Sequence, residues 1–240
     1  MKKEVLLMYS GGLDSILSCL RLISKGYKVY LIHFDNGSSI GTENIQKGAQ
    51  KLIEKFKDKV EFLGIASTAG IFLYYRKMTD IENLNAKELN NKYGKISMSQ
   101  YRCLLCRMAM YTYTIALAKK MNINYIAEGA RKSQLFAIEQ EELLNEFRIL
   151  CNKYDVELLI PVYEVENEHQ KENEIFMWDI NFSACEAKCL LGYPMNKKLT
   201  QEELNDIKEL YKNIRYYQEK DIDEKRVILK KLPKDKITWY

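Results

Sequence analysis

The segment Ser10-Gly11-Gly12-Leu13-Asp14-Ser15 restricts what this chain can fold into more than any other stretch. It follows Val5-Leu6-Leu7-Met8-Tyr9, a run apolar without alternation, as in a strand buried on both faces. It precedes Ile16, Leu17, Cys19, Leu20 and Ile23, which are apolar at helical spacing, with Gly26 placed to end that helix. A strand that passes through two glycines into a helix can turn sharply and bring its backbone close to a ligand. It also offers an anion the free N–H groups and positive dipole end of the helix. Ser10 and Ser15 add hydroxyls, and Asp14 adds a carboxylate able to hold Mg²⁺ or to orient the loop. The spacing is neither that of the lysine-bearing GxxxxGK[ST] loop nor GxGxxG. For a bare Ser-Gly-Gly, a capped turn with no ligand would explain the residues as well.

Lys28 to Phe34 supplies a second strand, and strand-helix-strand predicts a right-handed parallel crossover. The pattern repeats with a helix face of Ile45, Ala49, Leu52, Ile53 and Phe56, followed by the strand-like Val60 to Ile65. The expected class is α/β, an open, mostly parallel sheet with helices on both faces. Residues 76–100, polar and weakly periodic, read as an irregular insertion. A long helix is expected from about Tyr101 to Met121, and a short strand at Tyr125-Ile126-Ala127 ending at Glu128-Gly129-Ala130-Arg131. A last strand is expected from Val156 to Val165, interrupted by Pro161, and a helix from Gln201 to about Tyr217. Residues 1–195 read as one catalytic domain and 196–240 as a helical, basic extension.

The net charge of +4 is too small to imply a nucleic-acid partner by itself. Lys225, Arg226, Lys230, Lys231, Lys234 and Lys236 against Asp235 make the end locally basic, either as a solvated tail or as a contact for a phosphate backbone. No apolar run approaches the ~20 residues that span a bilayer, which argues against a membrane protein. Without an export signal the expected location is the cytoplasm. In that reducing compartment the cysteines read as metal-binding or catalytic rather than as a disulfide framework. Cys103 and Cys106 form a CxxC pair at the start of the long helix, with Cys185 and Cys189 lying 82 and 86 residues downstream of Cys103. Four thiolates suit structural Zn²⁺, whereas three suit a [4Fe–4S] cluster with one open iron. Cys19 and Cys151 sit in ordinary apolar surroundings and read as small buried hydrophobes.

The Ser10–Ser15 segment matches the SGGxDS signature of the PP-loop ATP pyrophosphatases, and the chain resembles that family. The resemblance implies an adenine nucleotide α-hydrolase-like fold, with ATP over the strand ends and split between its α- and β-phosphates. It implies nucleotide contacts from Ser10, Gly11, Gly12, Asp14, Ser15, His33, Phe34 and Gly129. Within the family, Tyr101 through Tyr111, Ile126 through Gln134, Ile160-Pro161 and the Cys189-Leu-Leu-Gly-Tyr-Pro194 run look like segments of the 4-thiouridine synthetases, and a PP-loop with a CxxC and a distant cysteine is similar to the 2-thiouridine and 2-thiocytidine enzymes that use clusters. That likeness favours the [4Fe–4S] cluster over Zn²⁺ at Cys103, Cys106, Cys185 and Cys189. It implies an ATP- and Mg²⁺-dependent sulfurtransferase in which Asp14, Cys103, Cys189 and Arg131 carry the chemistry, with Lys132 a further candidate cation. The turn reads Ala-Glu-Gly-Ala-Arg where the family has a Thr-Gly-Glu type, and the chain begins at the loop strand. The acceptor therefore stays open between a tRNA base and a small molecule, with a sulfur-donor protein and a homodimer both compatible. The alternatives are an ammonia-dependent PP-loop ligase resembling 7-cyano-7-deazaguanine synthase with a zinc site, and a non-catalytic nucleotide sensor.

Overall fold

Both faces of the first strand are apolar, so it must be covered on both sides, and the computed structural model shows how. It describes residues 3–79, 84, 86–94, 96–179, 185–190 and 198–224. Strand β1 (Lys3–Met8) sends Leu6 and Met8 into one core, and Val5 and Leu7 into another on the opposite face. Strand β2 (Tyr27–Asp35) does the same with Ile32 and Phe34 against Val29 and Leu31. With β4 (Val60–Ser67), β5 (Tyr125–Ala127) and β6 (Glu157–Leu159) they form a parallel five-stranded sheet, ordered β4-β2-β1-β5-β6. Helices α1 (Leu13–Ser24), α2 (Glu43–Phe56) and α7 (Glu168–Phe176) cover one face. Helices α3 (Ala69–Thr79), α5 (Met98–Met121), α6 (Glu141–Lys153) and α8 (Gln201–Asp223) cover the other. The expected α/β class is the observed one.

The sheet topology decides where a ligand can sit. From β1 the chain winds outward through β2 and β4, and it later returns to the other flank of β1 as β5 and β6. The connections diverge at the carboxyl end of β1, and such a switch point leaves a crevice above the sheet. An antiparallel two-stranded ribbon of β3 (Ser39–Ile40) and β7 (Lys188–Cys189) stands beside it.

Several elements differ from expectation. Residues 76–100 hold the end of α3, helix α4 (Ala86–Tyr93) and the start of α5. Alongside the buried Phe72 and Tyr75, hydroxyls tie α3 to α5: Tyr75 Oη and Thr112 Oγ1 are 2.9 Å apart, and Thr79 bonds Tyr101. Periodicity does not register such contacts. The strand expected over Val156–Val165 ends at Leu159, because Pro161 has no N–H for the ladder, and Val162 and Val165 are buried in a turn instead.

Helix α8 continues to Asp223, six residues beyond the expected Tyr217. It starts at a capping box between Thr200 and Glu203 and buries Leu204, Ile207, Leu210 and Tyr211 in the same core as α5 and α6. The amide of Gln218 donates to the Met108 carbonyl at 2.9 Å, both groups buried. The basic residues from Lys225 onward lie outside the described residues, as do Leu191, Gly192, Tyr193 and Pro194. Among the described residues no helix is long and apolar enough to cross a membrane.

Candidate active site

The loop between β1 and α1 is held by its own polar groups. Gly12 N–H donates to Ser10 Oγ at 3.1 Å, and the Ser15 hydroxyl donates to the Gly12 carbonyl at 2.9 Å. The two serine oxygens are 3.3 Å apart. Gly11 has φ +80°, and a Cβ there would stand 2.9 Å from both the Cys185 carbonyl oxygen and Ile45 Cδ1. That position therefore needs glycine for conformation and for space. Gly12 is the N-cap of α1 and supplies no capping side chain, so the first-turn N–H groups remain for a ligand. The end of β5 presses on this loop from the side. A Cβ on Gly129 would lie 3.1 Å from Asp14 C and Ser15 N.

Asp14 is clamped. Its Oδ1 pairs with Arg131 Nε at 2.8 Å and Lys171 Nζ at 2.9 Å, and its Oδ2 accepts from Gln134 Nε2 at 3.1 Å. Glu168 closes the cluster, 2.6 Å from Arg131 and 2.7 Å from Lys171. With both oxygens engaged, this carboxylate orients the loop. Lys171 and Glu168 were not singled out from sequence, where Glu168-His-Gln-Lys-Glu-Asn-Glu174 looks like any solvated helix. Tertiary packing makes the difference. Arg21 of α1 grips Glu174 through two bonds of 2.7 and 2.5 Å and donates to the Pro161 carbonyl at 2.8 Å, fixing α7 so that Lys171 is buried against the loop.

Above the loop lies a cleft of about 290 Å³, bordered by Ser10, Asp14, Ser15, His33, Phe34 and Gly129. On the β2 side, His33 Nδ1 is 2.9 Å from the Tyr9 carbonyl, so Nδ1 carries the proton and donates. Burial lowers the pKa of this imidazole, which leaves Nε2 an unprotonated acceptor with no partner among the described residues. Phe34 also packs edge-on to Tyr113, with ring centroids 5.5 Å apart.

On the β5 side, Glu128 pairs with Arg107 and accepts from the Tyr111 hydroxyl at 2.6 Å. Glu139 stands 3.6 Å from Arg107. Burial, opposed by Arg107 and reinforced by Glu128, pushes the Glu139 pKa up to about 8. Arg107 and Glu139 had no assigned role in the sequence, because their partners come from separate elements.

The cysteines divide. Cys106 and Cys189 both border the cleft, and Cys106 Sγ accepts from Asn36 Nδ2 at 3.2 Å. Cys103 lies close enough to both thiols to feel them, and burial first, then these neighbours, push its pKa up to about 12. Cys106 is raised as well, by burial opposed by the Asn36 hydrogen bond. Cys185 goes elsewhere. Its N–H donates to the Gly11 carbonyl at 3.0 Å, and its Sγ faces Gly48 of α2, 3.6 Å from where a Cβ would be. Among the described residues no three His, Cys, Asp or Glu side chains are grouped to hold a metal ion. Cys185 thus stands apart from the other three, while Cys103, Cys106 and Cys189 are neighbours that are not drawn together around a metal ion. Cys19 and Cys151 are fully buried, apart from the cleft. Lys132 is exposed at the turn beside Arg131.

Residues 1–216 match the family described as thiamine biosynthesis protein (ThiI). The chain belongs to the ThiI family. Over 132 residues it is 27% identical to a protein of Metamycoplasma arthritidis named probable tRNA sulfurtransferase, a match that covers 55% of this chain and 30% of that protein. The chain thus aligns with less than a third of that relative's length. Its fold is similar to that of a 4-thiouridine synthetase solved in complex with RNA and bound ATP, with a TM-score of 0.56 and 14% identity, over 92% of this chain and 53% of that one. At that identity the likeness concerns the fold, and it matches the five-stranded PP-loop architecture described above.

Proposed function

We propose that this chain activates an acceptor carbonyl oxygen, on a tRNA base, by transferring AMP to it from ATP, and that sulfur then replaces that oxygen. The observation that carries the reading is the meeting, in one cleft at the sheet's switch point, of the Ser10–Ser15 loop with the thiols of Cys106 and Cys189. Family membership and the relative named probable tRNA sulfurtransferase support it.

In this reading the first-turn N–H groups of α1 and the hydroxyls of Ser10 and Ser15 hold the β- and γ-phosphates of ATP, and Mg²⁺ arrives with the nucleotide. Asp14, fixed by Arg131, Lys171 and Gln134, keeps the loop in shape. The two cations stand one side chain away from the site where negative charge builds up as pyrophosphate leaves. The acceptor oxygen attacks the α-phosphorus, and the bond to the β-phosphate's bridging oxygen breaks. Pyrophosphate departs, leaving the acceptor carbon bonded to an oxygen that now belongs to AMP. Hydrosulfide, or its equivalent from a sulfur donor, adds at that carbon and AMP leaves with its electron pair. Loss of the sulfur's proton gives the thiocarbonyl. Cys189 is the exposed thiol of the pair and Cys106 the half-buried one, so in this reading the hydrosulfide reaches the activated carbon past Cys189.

The test is release of pyrophosphate and AMP from ATP by the purified chain, with unmodified tRNA and sulfide supplied. Thiolated tRNA is read by its altered absorbance and nucleoside mass. Asp14→Asn should lower turnover by ~10²-fold or more, since it removes the loop's orienting charge and leaves Lys171 and Arg131 with Glu168 alone. Equal pyrophosphate release by wild type and Asp14→Asn would refute the mechanism.

A further inference from the structure

One anion already sits at the loop. The carboxylate of Glu186 lies over Gly12, where its Cδ and both oxygens are 3.0–3.1 Å from the position of a Gly12 Cβ. It borders the same cleft as Ser10, Asp14 and Ser15. A carboxylate at the N-terminal end of α1 is where the helix dipole and the uncapped N–H groups attract negative charge. We propose that Glu186 is an internal competitor for the phosphate seat of this loop, so that a nucleotide binds only by displacing it. The proposal rests on the reading that the Ser10–Ser15 loop binds the phosphates of ATP.

The backbone holds Glu186 there from both sides. Just before it, Cys185 N–H donates to the Gly11 carbonyl at 3.0 Å. Just after it, Lys188 and Cys189 pair with Ile40 and Ser39, and Leu190 N–H donates to the Ser38 carbonyl at 2.8 Å. Only Glu186 and Ala187 lie between these anchors, so the side chain is delivered to the loop by design of the strand. The seat is a costly one for a single carboxylate. Burial raises the Glu186 pKa, the nearby Asp14 charge adds to the rise, and the hydrogen bond with Ser10 and the charge of Lys171 offset it in part. A pyrophosphate group, with more charge and more acceptor oxygens, answers the same donors better and can expel it.

A competitor that fills the seat reduces the apparent affinity of every ligand that needs the seat by the same factor, and leaves alone a ligand that does not need it. If the seat is open about one-tenth of the time, ATP and pyrophosphate both bind about tenfold more weakly than they would to an open loop. The experiment is calorimetric titration of the full chain and of Glu186→Gln and Glu186→Ala with MgATP, magnesium pyrophosphate and adenosine. Thermal unfolding confirms that each variant is folded. Both variants should bind MgATP and pyrophosphate tighter by one common factor, about five- to twentyfold, with adenosine unchanged. Unchanged or weaker binding of ATP and pyrophosphate in folded variants would overturn the internal competitor while leaving the loop as the nucleotide site. A wild-type chain and variants that bind neither ATP nor pyrophosphate would overturn the phosphate-loop reading, and this proposal with it.

Discussion

Replacing Gly129 with alanine tests whether the end of β5 sets the shape of the loop. The added Cβ would meet Asp14 C and Ser15 N at 3.1 Å and Asp14 O at 3.2 Å. All three are backbone atoms at the start of α1, so no flexible side chain can swing aside. Strand or helix must move by a few tenths of an ångström. Forcing a methyl into such a contact costs about 1–3 kcal/mol. In a chain of this size ~1 kcal/mol moves the unfolding midpoint by roughly 2–4 °C, so a fall of about 2–12 °C is expected by thermal unfolding. The functional effect should exceed what stability alone explains. A displacement of ~1 Å at a reacting centre can cost about 10²-fold, so a few tenths of an ångström should cost about fourfold in pyrophosphate release. Gly70→Ala is the control. It lies in α3 with nothing within 4 Å of its Cβ position, and alanine there should stabilise the helix by roughly 0.5–1 kcal/mol with activity unchanged. A Gly129→Ala protein with wild-type midpoint and wild-type turnover would refute the contact and the role assigned to it.

Two further outcomes follow from the ionisable groups of the cleft. Glu139 has its pKa raised by burial from 4.5 to about 8, so it favours folding most below pH ~4.5, and that contribution is lost as pH rises through 8. Wild type should lose stability on the order of a few kcal/mol between pH 5 and 9, and Glu139→Gln should flatten that slope; matching slopes in chemical denaturation would sink the assignment. Cys189 is exposed, whereas Cys103 has its pKa pushed up to about 12 by burial and Cys106 is raised in the same way. At pH 8, iodoacetamide should therefore modify Cys189 well before Cys103 and Cys106, as followed by peptide mass mapping, and comparable rates would contradict the burial described.

Much of the fold is legible in local pattern because the sheet is parallel. Val5 to Tyr9 is apolar on both sides since helices cover both faces, and the glycines after it mark the turn into α1. The same residues shape the loop itself, whose conformation resides in six consecutive positions. Elements held by long-range polar contacts were not legible in this way. The hydroxyl pairs between α3 and α5, and the buried roles of Arg107 and Glu139, exist only once those elements are packed together. The cysteine spacing leaves their grouping open for a related reason. A separation of 82 or 86 residues says nothing about direction, and the backbone that bonds Gly11 turns Cys185 toward α2 while the ribbon brings Cys189 to Cys106.

The sequence by itself determined the α/β class, the position of the loop and the glycines that shape it, because these depend on neighbours within about ten residues. The tertiary structure alone decided which charges face that loop. Lys171 and Gln134 reach Asp14 from 157 and 120 residues away, and Glu186 reaches Gly12 from 174 residues away. Such pairings depend on how helices and strands pack, and the free energy of bringing distant segments together is supplied by the buried cores on both faces of the sheet rather than by the residues of the site.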